Sequence, residues 1–345
     1  MASAPNSRIS TLQAGRGLAA MAVVAFHTFQ YVGQQVAPLP SMLSVPMSYG
    51  YLGVDFFFVL SGFIIYFTNH AKASSPDWPA RFLHGPLSRI YLPYWPIGIT
   101  LGITYMLLPQ VSAGARSWDW PTTLTLLPIP GGTSALGPAW TLQHEIVFYM
   151  LALLFLRARL VLAGSIAAAA AILVAALLGS GHLVAYPLID LEFLFGIAAA
   201  WCVLSGRAKQ GWLPAAAGLM LAAAYIAWND RAFTILFGLG VALVLIPLVR
   251  LEQSGRIAVA RPWVLLGDAS YAIYLIHLPL LSIVVRVVKA PLPAALLCIL
   301  ASAAAGAAYH LFVERPLLAR ARARSRRRGD NEAAVQAASS NSSSF

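Results

Sequence analysis

Arg16 and His27 stand eleven residues apart inside the first long apolar run of the chain. In a helix that spacing leaves them about 20° apart in azimuth and roughly 16 Å apart along the axis, so both face one groove. An ionisable side chain at the centre of a membrane helix costs about 2.5–3.5 kcal/mol on insertion scales, which makes each one a functional candidate. The imidazole can act as a general base near neutral pH, because its unperturbed pKa is about 6.5. A cation in line with it suits an extended donor whose anionic end meets Arg16 and whose reactive end reaches His27; acyl-CoA has that shape. Arg16 taken alone reads equally well as a topology-setting charge that snorkels to the interface.

Two carboxylates are expected at much the same depth as His27. Asp55 lies in Gly53-Val-Asp-Phe-Phe-Phe-Val-Leu-Ser-Gly-Phe63 and Glu145 in Trp140-Thr-Leu-Gln-His-Glu145, each at the start of a run that descends from the outer face. Either would orient the imidazole and stabilise its protonated form; Asp55 alternatively caps its helix at the interface. Ser270, Tyr274 and His277 form one polar stripe, and His310 and Glu314 sit one turn apart. That last pair reads as interhelical hydrogen bonding or a structural ion pair in preference to a metal site, and no metal is expected. Phosphate-loop, nucleophile-elbow and His-Glu-x-x-His signatures are missing, which leaves general-base chemistry within the membrane.

The elements that must position these groups are helices in lipid. Of 345 residues 59% are hydrophobic and 10% charged, with a mean hydropathy of +0.73, against about 25% charged in soluble domains. Ten apolar segments approach the roughly 20 residues a crossing needs: near 12–33, 51–68, 88–108, 138–157, 159–179, 186–205, 212–228, 232–250, 263–287 and 292–314. The expected fold is an all-α, polytopic bundle of about ten transmembrane helices. Lys and Arg concentrate on alternate loops, which puts both termini in the cytoplasm. Most of the net charge of +11 is thereby topology and needs no nucleic-acid partner. The run from Arg320 to Arg328 is a stop signal or an anionic-lipid contact. The chain divides into a membrane domain over 1–318 and a tail over 319–345, first basic, then Ser/Ala-rich and expected to be disordered. Cys202 and Cys298, both in apolar runs, read as packing residues.

Several motifs together resemble the membrane acyltransferase-3 family. They are Leu12-Gln-Ala-Gly-Arg16 with its ten-residue gap to His27, Gly50-Tyr-Leu-Gly-Val-Asp-Phe-Phe-Phe-Val-Leu-Ser-Gly-Phe-Ile64 and Arg89-Ile-Tyr-Leu-Pro-Tyr-Trp95. Ala139-Trp-Thr-Leu-Gln-His-Glu145, Gly267-Asp-Ala-Ser-Tyr-Ala-Ile-Tyr-Leu-Ile-His277 and Glu314-Arg-Pro316 complete the set, over about residues 8 to 318. Bacterial members acylate surface glycans, and the pattern looks closest to those that act on exopolysaccharide. The resemblance implies transfer of an acetyl or other short acyl group from cytoplasmic acyl-CoA to a hydroxyl of a glycan or lipid-linked glycan, with no permanently bound cofactor and an inner-membrane, multi-pass location. It implies that His27 is the catalytic base, Arg16 a donor-binding group, and Glu145 and Asp55 supporting carboxylates. Pro86 departs from the family, which commonly carries a second arginine there; Arg89 remains, and Arg81 or His84 would take over as its partner for the donor phosphates.

The acyl thioester is expected to come up the groove from the cytoplasm while the acceptor hydroxyl approaches from outside. A loop over 109–138 should lie on the outer face, where Trp118 and Trp120 either stack on a sugar or join an interfacial aromatic belt. The rival reading is a transporter or flippase in which the same ionisable residues form a proton or substrate pathway.

Overall fold

The computed structural model describes residues 9–73, 75, 78–109, 117–157, 160–177, 187–206, 212–228 and 233–324, and among them there is no strand. The helices are α1 (Ser10–Gln35), α2 (Ser41–Ser48), α3 (Leu52–Asn69), α4 (Trp78–Leu107), α5 (Trp120–Thr125), α6 (Trp140–Arg157), α7 (Val161–Leu177), α8 (Leu191–Leu204), α9 (Leu213–Trp228), α10 (Thr234–Gln253), α11 (Arg261–Asp268), α12 (Ser270–Val287) and α13 (Pro291–Tyr309). Five stretches among the described residues are long and apolar enough to cross a membrane: Ser41–Asn69, Gly137–Arg157, Thr234–Gln253, Ser270–Val287 and Pro291–Arg324. Among the described residues the regular structure is all helical, and the chain is a multi-pass membrane protein.

Lipid offers apolar surface as readily as a neighbouring helix does, so helix association depends on close packing through small residues. The glycines of the second motif do this for α3. A Cβ added at Gly53 would overlap the carbonyl oxygen of Ala19 in α1, and one added at Gly62 would overlap that of Phe193 in α8. With glycine at both positions α3 wedges between α1 and α8, and Leu12, Val59, Phe63, Ala200 and Leu245 close a core from four helices. Phe148 of α6 stacks on Phe193 at 4.1 Å between ring centroids and joins a second core with Phe58, Tyr94, Leu126 and Leu136.

The start of α1 is held from 241 residues away. Its first backbone N–H groups lack helical partners, and Glu252 at the end of α10 supplies them. Ser10 N donates to Glu252 Oε1 at 2.6 Å and Thr11 N to Oε2 at 2.8 Å, while the Thr11 hydroxyl also donates to Oε2 at 2.5 Å. A carboxylate there also meets the positive end of the helix dipole.

Three expectations need correction. The segment expected at 263–287 breaks at Ala269 into α11 and α12; just before the break Gly267 packs so closely on α1 that an added Cβ would overlap the Gln13 carbonyl. The helix expected to end near 314 passes through a π-turn, His310–Glu314, and continues to Arg324, so part of the basic tail is helical; residues 325–345 lie outside the described residues. Helix α4 begins at Trp78 and carries Pro86, Pro93 and Pro96 in its interior.

The segment after α4 is ordered over 117–139 and folds back along α4, with many of its side chains exposed. Trp118 packs on Tyr105, and Trp120 lies against Gly102. Helix α5 then descends until three donors of α4 meet its last carbonyls. Tyr94 Oη donates to Thr123 O at 2.8 Å, Trp95 Nε1 to Leu124 O at 2.9 Å, and Tyr91 Oη to Thr125 O. The last carbonyls of a helix lack intrahelical partners, and the aromatic residues of the third motif supply donors to them. Both tryptophans are engaged in packing within the protein.

Candidate functional site

Arg16 and His27 lie on one face of α1, and that face meets the polar stripe of α12. Arg16 Nε donates to Ser270 Oγ at 3.3 Å, and His27 Nδ1 stands 3.2 Å from His277 Nε2. The two arms of the groove expected from the eleven-residue spacing are therefore both present, each paired with one end of the stripe. Tyr274 sits between them, its hydroxyl 2.9 Å from Thr141 Oγ1 and 3.2 Å from Pro138 O. Phe57 packs edge-on against the Tyr274 ring.

The Arg16 end opens into a partly enclosed cavity. Arg16, Arg89, Glu145, Ser61, Tyr149 and Ser270 supply its polar wall, and Phe57, Phe58, Leu142 and Ile64 much of its apolar one. Arg16 is buried and Arg89 is exposed. Arg16 feels the positive charge of Arg89 and the negative charges of Glu145 and Glu314. Glu145 accepts hydrogen bonds from Ser61 Oγ at 3.2 Å and from the Tyr149 hydroxyl. Two guanidinium groups beside an apolar, partly enclosed slot suit a long ligand with an anionic head and an uncharged arm.

The two carboxylates fall elsewhere than beside the imidazole. Glu145 lines the cavity at the Arg16 end, since the chain has already descended along α4 before α6 begins and Thr141 is level with Tyr274. Asp55 faces Glu192 of α8, both side chains buried, on the side of α3 that packs against α8. The ring contact that the sequence reading assigned to a carboxylate is made by His277. That residue was visible in the α12 stripe, but a single sequence gives no means of pairing it with α1.

His144 and Asp190 form a buried-to-surface pair at 2.7 Å. His310 Nδ1 stands 2.9 Å from Glu314 Oε2 within the π-turn, which is the local pairing expected of them. Among the described residues no three His, Cys, Asp or Glu side chains stand together as ligands for a metal ion. The Arg81 side chain lies outside the described residues; Arg89 is at the cavity and His84 is exposed on the same helix.

A helical membrane bundle with a histidine-lined groove and an arginine-lined cavity is the setting in which the comparisons place this chain. The family model described as "Acyltransferase domain", Acyl_transf_3, matches residues 9–311, and the chain belongs to this acyltransferase-3 family. Among its relatives is "Exopolysaccharide production protein ExoZ" of Rhizobium meliloti (strain 1021), 28% identical over 321 residues that cover 80% of this chain and 92% of the relative. "Protein 2 in picA locus" of Rhizobium radiobacter is 28% identical over 168 residues, covering 43% of this chain and 82% of the relative. No solved structure matches the chain.

Proposed function

We propose that this protein moves an acetyl or other short acyl group from cytoplasmic acyl-CoA to a hydroxyl of a cell-envelope glycan, with His27 as general base. The observation that carries the reading is the α1–α12 groove, with His27 at one end and the arginine-lined cavity at the other. The phosphates of the donor meet the exposed Arg89 and, further in, the buried Arg16, and its thioester reaches up the slot toward the imidazole. His27 takes the proton of the acceptor hydroxyl as the oxygen attacks the thioester carbonyl carbon. When the tetrahedral intermediate collapses, the carbon–sulfur bond breaks and His27 returns that proton to the leaving thiolate. Products are the glycan ester and free CoA thiol. Glu145, among Arg16, Ser61 and Tyr149, offsets positive charge in the slot and is assigned to the donor side.

The loop-charge alternation supports ten crossings of the inner membrane with both termini and the Arg16 end in the cytoplasm. A relative named for exopolysaccharide production supports a glycan or lipid-linked glycan as acceptor. Mass spectrometry of envelope polysaccharide from cells with the protein, without it, and with correctly inserted His27→Ala tests the proposal. An acyl mass increment present only with the parent protein is expected. Polysaccharide of unchanged mass, as a transporter would leave it, or a full increment with His27→Ala, overturns it. On the donor side, Arg16→Ala and Arg89→Ala should each raise the acetyl-CoA concentration needed for half-maximal rate.

A further inference from the structure

We infer that His277 is the positioning residue of the catalytic histidine, taking the place that a carboxylate holds in a Ser-His-Asp triad. The inference rests on the assignment of His27 as base. Hydrogen positions follow from the acceptors. His277 Nδ1 lies 2.6 Å from the carbonyl oxygen of Tyr274, which can only accept, so Nδ1 carries the proton. His27 Nδ1 lies 3.0 Å from the carbonyl oxygen of Val23, so it too carries a proton. The contact of 3.2 Å between His277 Nε2 and His27 Nδ1 then joins one N–H to one bare nitrogen. A proton on His277 Nε2 would set two N–H groups against each other. His277 is therefore a neutral acceptor, and His27 shares its Nδ1–H between Val23 O and His277 Nε2.

Two consequences bear on catalysis. In neutral His27 the proton on Nδ1 makes Nε2 the basic nitrogen. When Nε2 takes the hydroxyl proton, the charge that develops on the ring strengthens both Nδ1–H bonds. Val23 O belongs to the helix carrying His27 and leaves the tilt of the ring toward α12 undetermined, whereas His277 reaches it from across the groove. The ring planes stand 47° apart with centroids 5.0 Å apart. His277 is itself immobilised, fully buried and tied to its own helix through Tyr274 O. A bare imidazole nitrogen does this without adding a charge to the interior, where an unpaired carboxylate would be expensive.

The test compares His277→Phe, which keeps a ring and loses the acceptor, with His277→Gln, whose side-chain carbonyl can accept. Parent and variants are reconstituted in lipid nanodiscs with acetyl-CoA as donor and exopolysaccharide from cells lacking the gene as acceptor. His277→Phe should lower kcat roughly 10- to 100-fold, as loss of an outer-shell histidine partner does, with the KM for acetyl-CoA within about twofold of the parent. His277→Gln should recover about tenfold of that loss. Equal rates for His277→Phe and the parent, or equal losses with Phe and Gln, overturn the positioning role. A KM that rises with the fall in kcat also overturns it, since that marks general disruption of the groove. Should His277→Phe fail to accumulate, His277→Met against His277→Gln makes the same comparison. His27→Ala separates the two readings: an inactive His27→Ala beside a fully active His277→Phe removes only the role of His277, whereas an active His27→Ala removes the base assignment itself.

Discussion

Gly17→Ala tests whether the contact between α1 and α11 sets the donor end of the groove. A Cβ added at Gly17 meets Gly267 N at 2.8 Å, Leu266 Cγ at 2.9 Å and the Leu266 carbonyl carbon at 3.0 Å. Two of these three atoms are backbone, so rotation of a side chain cannot relieve the overlap. Restoring 3.4 Å, the near edge of ordinary contact, from 2.8 Å moves α1 and α11 apart by 0.6 Å. Arg16 is the preceding residue, and its bond to Ser270, which opens α12 two residues past the end of α11, is already 3.3 Å long. A shift of that size carried to Ser270 along the bond would take it to about 3.9 Å, beyond hydrogen-bonding range. Overpacking of this kind costs about 1–3 kcal/mol, against a gain of about 1 kcal/mol from replacing a helical glycine. Gly33→Ala is the control: it lies in the same helix with nothing within 4 Å of an added Cβ, so it should be neutral or stabilise by up to about 1 kcal/mol. The assay is the thermal unfolding midpoint in detergent together with the KM for acetyl-CoA. Gly17→Ala should melt lower and bind donor more weakly, and Gly33→Ala should do neither. If Gly17→Ala matches Gly33→Ala in both, the contact between α1 and α11 does not position Arg16.

Glu252→Ala removes the cap on the first two N–H groups of α1 and should destabilise by about 1–2 kcal/mol; an unchanged unfolding midpoint would refute the cap. Tyr94→Phe leaves Thr123 O without its hydroxyl donor at 2.8 Å and should cost about 1–3 kcal/mol, read as faster amide exchange across 117–139 while α12 exchange is unaltered. Asp119 makes the same segment sensitive to acid. Partial burial pulls its carboxyl up, but hydrogen bonds from the Thr122 and Thr133 main chain, at 2.7 and 2.8 Å, outweigh that and hold its pKa below the ordinary value. Its stabilising share is present above the ordinary aspartate pKa of about 3.9 and is lost as the pH falls through the lowered folded value. Exchange protection of 117–139 should therefore fall between about pH 5 and about pH 2 in the parent; Asp119→Asn should start from lower protection and vary less with pH.

Much of this protein is written locally in its sequence. Apolar runs of membrane length fixed where helices form, because a backbone in lipid has few other ways to satisfy its polar groups. Helical periodicity fixed that Arg16 and His27 share a face, and that Ser270, Tyr274 and His277 share another. Which face meets which is a property of the assembled bundle, and there the sequence was silent. It depends on glycines such as Gly53, Gly62 and Gly267, each of which meets the backbone of another helix, distant in sequence, that passes too close for a methyl group. The place of Glu145 in the Arg16 cavity followed from how α6 packs after the segment that folds back along α4, which no local count contains. Pairing His277 with His27 required α12 to lie against α1, and capping α1 with Glu252 required α10 to end beside it. Residue types and their periodicity therefore determined the chemistry available to this chain, while close packing of helices in tertiary structure decided which of those groups face one another.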